Sequence, residues 1–423
     1  MKKRWFWFLI FIFMLLLTFV WATTTNLDTD TYLSLRSISR LMAFLGIGFF
    51  LVQFVLSCRI KFIEQIFGLD KMLWYHRWFG RAAVGFLFIH FSLLFVPEII
   101  NLGFVPLTIF RLFGSLSLMI IAIAATLASL YKKLHLSYEI WKGIHLINYV
   151  AFPLAIIHVG LQAASLNTYL LWSLMAFIYL FFVGYRLKSI YTIRKNPFTI
   201  TNIRRENHDT WSLMFSGKPI NYLPGQFLHV QLLREDGLSF SHPFTISSSP
   251  TQSLVSITPK ELGDFTDTIG KTEQGDLAYI DAPYGVFSFL KVSEEQPLIF
   301  IAGGIGITPF ISMLRYMHDQ KIERRVFLFW GNKTEDNLLF QQEFEDIESN
   351  LSGLTIVQVM SEDEDWAGEK GYIDANMIEK YAGDLRDYDI FLCGPPPMSQ
   401  AIQQDLQAHQ VPNSQIHREI FEL

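Results

Sequence analysis

The chain has 423 residues, a formal net charge of −5 and 51% hydrophobic residues, but its two parts differ: residues 1–195 carry a net +12 and the rest a net −17. Long apolar runs confined to the first part exclude a wholly soluble enzyme and a disordered chain. Basic residues that flank apolar runs, instead of forming a patch, count against nucleic-acid binding. Two cysteines, Cys58 and Cys393, are too few for a disulfide scaffold or a thiolate metal site, and both read as cytosolic and reduced.

In chain order, six segments are apolar enough to span a bilayer: Trp5–Ala22, Ile38–Ser57, Tyr75–Val96, Leu107–Leu130, Tyr138–Gly160 and Thr168–Tyr185. Lys-Lys-Arg, an apolar core and a small residue near Ala22 also fit the outline of a signal peptide. Basic residues gather on one side: Lys2, Lys3 and Arg4, then Arg59, Lys61, Lys71 and Arg77, then Lys132, Lys133 and Lys142, then Arg186, Lys188, Arg194 and Lys195. The opposite connections are poor in them, so both termini and the acidic second part are expected in the cytoplasm, with the chain in the plasma membrane.

After Asn196 the pattern changes. Short alternating runs (Phe198–Ile203, Trp211–Phe215, Phe227–Leu232, Leu254–Thr258, Leu277–Ile280) predict an antiparallel β-barrel. From Pro297, strands at Leu298–Ala302, Val326–Trp330, Leu354–Val359 and Tyr388–Cys393 alternate with helical stretches, as in a parallel α/β sheet. The expected fold is therefore multidomain: an all-α six-helix transmembrane bundle over 1–195, a β-barrel over 196–290 and an α/β domain over 291–423.

Four histidines fall within apolar spans, His76 and His90 in the third, His145 and His158 in the fifth. Their separations correspond to about 21 Å and about 19.5 Å of helix, one histidine near each side of the membrane. Pairing His76 with His145 and His90 with His158 gives two stacked sites with two imidazoles each, a ligand set used by low-spin haem. A proton relay or structural histidines are the alternatives. His76 and His90 share a helix face, whereas thirteen residues leave His145 and His158 about 140° apart. The fifth span therefore needs local rewinding, which Pro153 can supply as a kink. Arg77 and Arg81 lie where propionates of an inner haem would want cations, or serve as ordinary positive-inside anchors. Arg40 sits at the outer end of the second span, where basic residues are not expected. It either stabilises an anion such as forming superoxide or snorkels to the surface.

Two motif groups mark the second part. His242-Pro243-Phe244-Thr245-Ile246-Ser247 can pack a flavin ring and hold its polar groups, and Gly263-Asp264-Phe265-Thr266 is a turn whose N–H groups and hydroxyl suit a pyrophosphate. Ala302-Gly303-Gly304-Ile305-Gly306-Ile307-Thr308-Pro309 follows a strand and opens a helix, where glycines let a phosphate reach the backbone. It is not the G-x-G-x-x-G fingerprint. Cys393-Gly394-Pro395-Pro396-Pro397-Met398 reaches the same carboxyl edge. Lys333, after the second strand, suits the 2′-phosphate of NADPH, an assignment weakened by Glu335 and Asp336.

Together the histidine pairs, His-Pro-Phe-Thr at 242–245 and the motifs at 302–309 and 393–398 resemble the NADPH oxidase and ferric reductase superfamily over nearly the whole length. The resemblance implies FAD, two b-type haems and electron flow from NADPH or NADH outward to O2, forming superoxide, or to a ferric chelate. It implies that Phe421 covers the flavin ring, and it matches Arg40 to an arginine beside the oxygen site. Calcium-binding hands and an attachment segment for cytosolic activators are not apparent, so no obligatory protein activator is expected.

Overall fold

The computed structural model describes residues 2–24, 31–103, 108–131, 133–161 and 165–419. The chain divides into two compact units, Met1–Tyr191 and Thr192–Leu423.

The first unit is helical: α1 Lys2–Thr24, α2 Thr31–Ser57, α3 Lys61–Phe67, α4 Leu69–Leu102, α5 Ile109–Leu130, α6 Tyr138–Leu146, α7 Asn148–Gly160 and α8 Leu166–Lys195. Six stretches among the described residues are long and apolar enough to cross a membrane, and α6 with α7 count as one of them. Phe11, Phe19, Leu170 and Phe177 stay exposed, as lipid-facing positions require. Inside a bilayer, helices associate through close packing rather than through water exclusion. Accordingly α2 packs along α4 and α5 along α7. Gly46 of α2 leaves room for Leu87 of α4, since an added Cβ would lie 2.8 Å from its Cγ. Phe54, Phe152 and Tyr179 pack edge and face, joining α2, α7 and α8.

The fifth span breaks, but not at the expected residue. The interruption is at Ile147, and Pro153 lies inside α7. The Ile147 N–H donates to the Ile144 carbonyl at 3.1 Å and Val150 N–H to the Ile147 carbonyl at 2.8 Å, both three-residue turns. Asn148 Nδ2 takes the His145 carbonyl at 2.9 Å. Winding of about 3.0 residues per turn advances α7 in the sense that the two histidine faces need. Pro153 has no N–H for the Tyr149 carbonyl four residues back. The Tyr179 hydroxyl of α8 donates to that carbonyl at 2.6 Å instead.

The second unit holds two sheets. The strands β1 Phe198–Arg205, β2 Trp211–Ser216, β3 Phe227–Arg234, β4 Gly237–Leu238, β5 His242–Thr245, β6 Val255–Ile257 and β7 Leu277–Tyr284 form an antiparallel sheet ordered β4-β3-β7-β1-β2-β6. Strand β5 pairs with β3 off this path. Ile246, just beyond β5, bridges Ile257 of β6, and Ser247 N–H donates to the Ser256 carbonyl at 2.8 Å. Ile200, Leu213, Leu228, Val230 and Ile257 fill the inner face with no exposed surface.

The other sheet is parallel and ordered β11-β10-β9-β8-β12-β13, from β8 Leu298–Gly303, β9 Val326–Asn332, β10 Leu354–Met360, β11 Glu369–Lys370, β12 Asp389–Cys393 and β13 Ile416–Glu419. Helices α9 Thr308–Asp319, α10 Gln341–Asn350, α11 Ala375–Ala382 and α12 Pro396–Ala408 accompany it. Every residue of β8 and β12 is buried, as central parallel strands demand. Strands β8 and β12 are neighbours, so their carboxyl ends, which carry the two glycine motifs, lie side by side.

Candidate functional site

Within the first unit two of the four histidines meet ring to ring. The rings of His76 and His145 have centroids 5.9 Å apart at an interplanar angle of 64°. Two metal–imidazole bonds of about 2 Å each would put such centroids roughly 6 Å apart. His145 Nδ1 is buried without a hydrogen-bond partner, although the Ala124 carbonyl is near enough to act on the ring. Trp141 stacks on His145 at 5.7 Å from the preceding turn.

His90 and His158 are close enough to interact electrostatically, and each is held by a neighbouring helix. His90 Nδ1 lies 2.9 Å from the Ser39 carbonyl and 2.8 Å from Ser39 Oγ, and Ser39 Oγ donates to the His90 carbonyl at 3.0 Å. His158 Nδ1 lies 2.6 Å from the Phe110 carbonyl. A carbonyl only accepts, so each Nδ1 carries the proton and each Nε2 keeps its lone pair, the tautomer a metal ligand needs. Gly114 completes the seat: a Cβ there would lie 2.8 Å from the His158 ring. Next to Phe110, Arg111 pairs with Glu98 through two contacts of 2.7 and 2.9 Å, tying α5 to α4. Ser39, Phe110 and Gly114 were not singled out from sequence. Their role lies in backbone carbonyls and a missing side chain, which residue types do not advertise. This donor set fits haem.

Arg40 follows Ser39 on α2 and is exposed, as are Arg77 and Arg81. The Arg81 guanidinium lies over the Trp78 ring at 5.3 Å.

In the second unit, β5 carries the His-Pro-Phe-Thr run. His242 stacks on Phe265 with centroids 4.0 Å apart and planes within 7°, bringing the two flavin-region motifs together. Pro243 and Phe244 are half-buried, whereas Thr245 is buried with its Oγ1 lacking any hydrogen-bond partner. A buried hydroxyl without a partner is costly, roughly 1–3 kcal/mol, so Thr245 fits a hydrogen-bonding ring such as flavin. Ser247 Oγ instead belongs to a buried hydroxyl chain with Ser256 and Thr258, each contact 3.0 Å. The turn at 263–266 is engaged locally. Gly263 N–H donates to Asp267 Oδ1 at 3.2 Å, and Thr266 Oγ1 accepts from Leu262 N–H at 2.9 Å.

The glycine motifs interlock. A Cβ on Gly306 would meet the Cys393 carbonyl oxygen at 2.3 Å, and one on Gly303 would meet Met398 Sδ at 2.4 Å and Pro395 Cδ at 2.9 Å. Gly304 has φ 52° and its carbonyl accepts from Trp330 Nε1 at 2.9 Å. Gly394 lies against the Gly303 backbone. Thr308 starts α9 with Pro309 in its first turn, its Oγ1 donating to the Ile305 carbonyl at 3.1 Å. Burial pushes the Cys393 thiol well above its ordinary range, and Glu419 adds to this. The strand-to-helix turn fits a nucleotide diphosphate.

Beyond β9 lies an open cleft of about 590 Å³ lined by His208, Lys333, Thr334, Asp336, Asn337 and Glu362. Lys333 Nζ is 2.9 Å from Glu362 Oε1, a partner 29 residues further on that the sequence did not announce. Phe421 lies outside the described residues.

An antiparallel sheet with a flavin-type strand, followed by a parallel sheet with a glycine turn, defines a flavoprotein reductase module of ferredoxin-reductase-like fold. The chain joins it to a membrane domain: residues 42–156 match the ferric reductase like transmembrane component, 195–288 an FAD-binding domain and 300–404 an oxidoreductase NAD-binding domain. This is the ferric reductase-like and NADPH oxidase architecture, and the protein is a multi-pass membrane oxidoreductase. The chain is 28% identical over 226 residues to the glycine betaine monooxygenase reductase subunit of Pseudomonas aeruginosa, covering 50% of this chain and 61% of that one. It is 29% identical over 209 residues to the anthranilate 1,2-dioxygenase electron transfer component of Acinetobacter baylyi, covering 48% and 59%. The chain thus spans about six-tenths of these relatives' lengths. The crystal structure of a Malassezia yamatoensis flavohemoglobin matches with a TM-score of 0.51 at 19% identity, over 92% of this chain and 97% of that one, a likeness of fold alone.

Proposed function

We propose that the protein passes electrons from cytosolic NAD(P)H through FAD and two b-type haems to O2 on the outer side, releasing superoxide. The observation that carries this reading is the pairing of His76 with His145 and of His90 with His158 in a chain that also carries the reductase module. When bound, the flavin supplies the exchange between hydride and single electrons, and the haems supply a one-electron path through the bilayer.

The chain's residues bind and orient. Thr245 Oγ1 would hydrogen-bond the flavin and Phe244 would pack on its ring, and the resemblance to the family gives Phe421 the role of covering that ring. His242, Pro243, Ser247, Gly263 and Thr266 shape the surroundings of the flavin. Gly303, Gly304, Gly306, Thr308, Pro309, Cys393, Gly394 and Pro395 form the turn that takes the nucleotide. The four histidines hold the two irons, with the Ser39 and Phe110 carbonyls keeping the Nδ1 protons in place. The haems would supply one-electron chemistry, and Arg40 would stabilise the anion that reduction of oxygen forms on the outer side. Three domains, 1–195, 196–290 and 291–423, perform these tasks. The isolated bridge between Ile246 and Ile257 supports reading the antiparallel sheet as a barrel. Both termini face the cytoplasm, and no protein activator is obligatory.

A second reading, reduction of a ferric chelate by the same path, is favoured by the match of residues 42–156 to ferric reductases. Purified protein in liposomes, given FAD, haem and NADPH or NADH, separates the two. Cytochrome c reduction abolished by superoxide dismutase is the expected result. A rate that needs ferric chelate and ignores O2 would favour the second reading.

A further inference from the structure

Lys333 is the residue whose type suits a 2′-phosphate, yet the fold commits it elsewhere. The parallel ladder between β9 and β10 runs to the pair Asn332–Met360. It then continues past both strands, with Ser361 N–H donating to the Asn332 carbonyl at 3.0 Å and Glu362 N–H to the Lys333 carbonyl at 2.8 Å. This register delivers the Glu362 carboxylate to Lys333 Nζ at 2.9 Å. Asp363 is fixed too, its Oδ2 accepting from Glu335 N–H at 3.2 Å. Asp336 lines the same cleft. A 2′-phosphate carries a charge of about −1.5 to −2. It would meet two lining carboxylates, Glu362 and Asp336, and one ammonium that already has an anionic partner.

A second observation lies at the end of β9, next to Lys333 in the chain. Asn332, the last residue of β9, is 7% exposed, and both polar atoms of its amide are buried without a partner. One is a donor and the other an acceptor. Hydroxyls of a ribose both give and accept hydrogen bonds, whereas a phosphate dianion only accepts.

We infer that this end of the cleft selects an unphosphorylated ribose, so that the nucleotide used is NADH rather than NADPH, with Glu362 as the specificity-determining residue. The inference rests on the reading of the cleft as the adenosine end of the nucleotide site. An exposed Lys–Glu pair contributes little to stability. Its effect here is on charge balance, because a dianion must displace Glu362 and still face Asp336.

Calorimetric titration of the purified full-length protein with 5′-AMP and with 2′,5′-ADP tests this, since both fragments leave flavin and haem chemistry untouched. The expected result is 5′-AMP binding at least about tenfold tighter, with the gap narrowed in Glu362→Gln/Asp363→Asn through stronger 2′,5′-ADP binding alone. Lys333→Ala should leave the 5′-AMP affinity within about twofold, and Glu362→Gln alone keeps the test open if the double variant fails to fold. Tighter binding of 2′,5′-ADP than of 5′-AMP to the unaltered protein overturns the inference and leaves the nucleotide site standing. If neither fragment binds, the reading of the cleft falls and the inference falls with it.

Discussion

Ser39 of α2 holds His90 of α4 from two directions, its carbonyl 2.9 Å from the ring Nδ1 and its hydroxyl donating to the His90 carbonyl at 3.0 Å. His90 is therefore oriented largely by groups of another helix, α2. On the other side of the pair, the Phe110 carbonyl does the same for His158.

The four histidines should separate into two classes. His90→Ala and His158→Ala are expected to lose one haem, the outer, and His76→Ala and His145→Ala the inner. Pyridine haemochromogen assay and low-temperature electron paramagnetic resonance give the count and which signal survives. Full haem content in all four variants would sink the pairing.

Gly114→Ala should act like a ligand mutation although no ligand is changed. Its Cβ would sit 2.8 Å from the His158 ring, and an overpacked site of this kind costs about 1–3 kcal/mol. The outer haem signal is expected to shift or vanish while the inner one stays. Gly143→Ala on α6 is the control, since nothing lies within 4 Å of a Cβ there. Equal spectra for the two variants would remove Gly114 from the site.

Thr245→Ala should weaken FAD binding by about 1 kcal/mol, roughly fivefold, because its buried hydroxyl loses the one bond it is placed to make. Equilibrium dialysis of the purified protein measures it. Unchanged affinity would make the strand merely structural.

Gly306→Ala should block the nucleotide turn more severely than Gly304→Ala. The added carbon at 306 would lie 2.3 Å from the Cys393 carbonyl oxygen, whereas nothing lies within 4 Å at 304, where the strain is one of backbone φ alone. Stopped-flow flavin reduction by NADH and a thermal melt are the readouts. An unimpaired Gly306→Ala would show that the two motifs part in solution.

Arg40→Ala is expected to keep both haems and flavin reduction yet lose most superoxide production. Arg40 is exposed, so screening holds its effect on a forming anion to about fivefold in rate. Haem content and superoxide rate should be taken on one preparation. Loss of both together would make Arg40 a propionate partner, and loss of neither a surface arginine.

What the sequence discloses follows from what each element needs. Strands β1, β2, β3 and β7 were legible because alternation repeats in residue type, and β8 because a strand buried on both faces must be wholly apolar. Strand β13, with the sequence Ile-His-Arg-Glu, carries no such sign and forms only because β12 offers it a partner edge. The histidine spacing shows that the fifth span must rewind, but not where it does so. Pro153 announces a missing N–H, and Tyr179 satisfies the carbonyl so left, while the tight turn falls at Ile147, whose residue type signals nothing. Glu362 was hidden for a different reason, since its approach to Lys333 is fixed by strand register.

The bond from Tyr179 to the Tyr149 carbonyl makes Pro153 and Tyr179 a single inherited unit written on two helices. Tyr179→Phe alone strands a carbonyl in an apolar interior, and Pro153→Ala alone supplies an N–H that competes for an acceptor already taken. Together the two changes restore an ordinary helix turn, so the double variant should be more stable than the sum of its parts foretells. Chains of this architecture that lack one of the pair should then tend to lack the other.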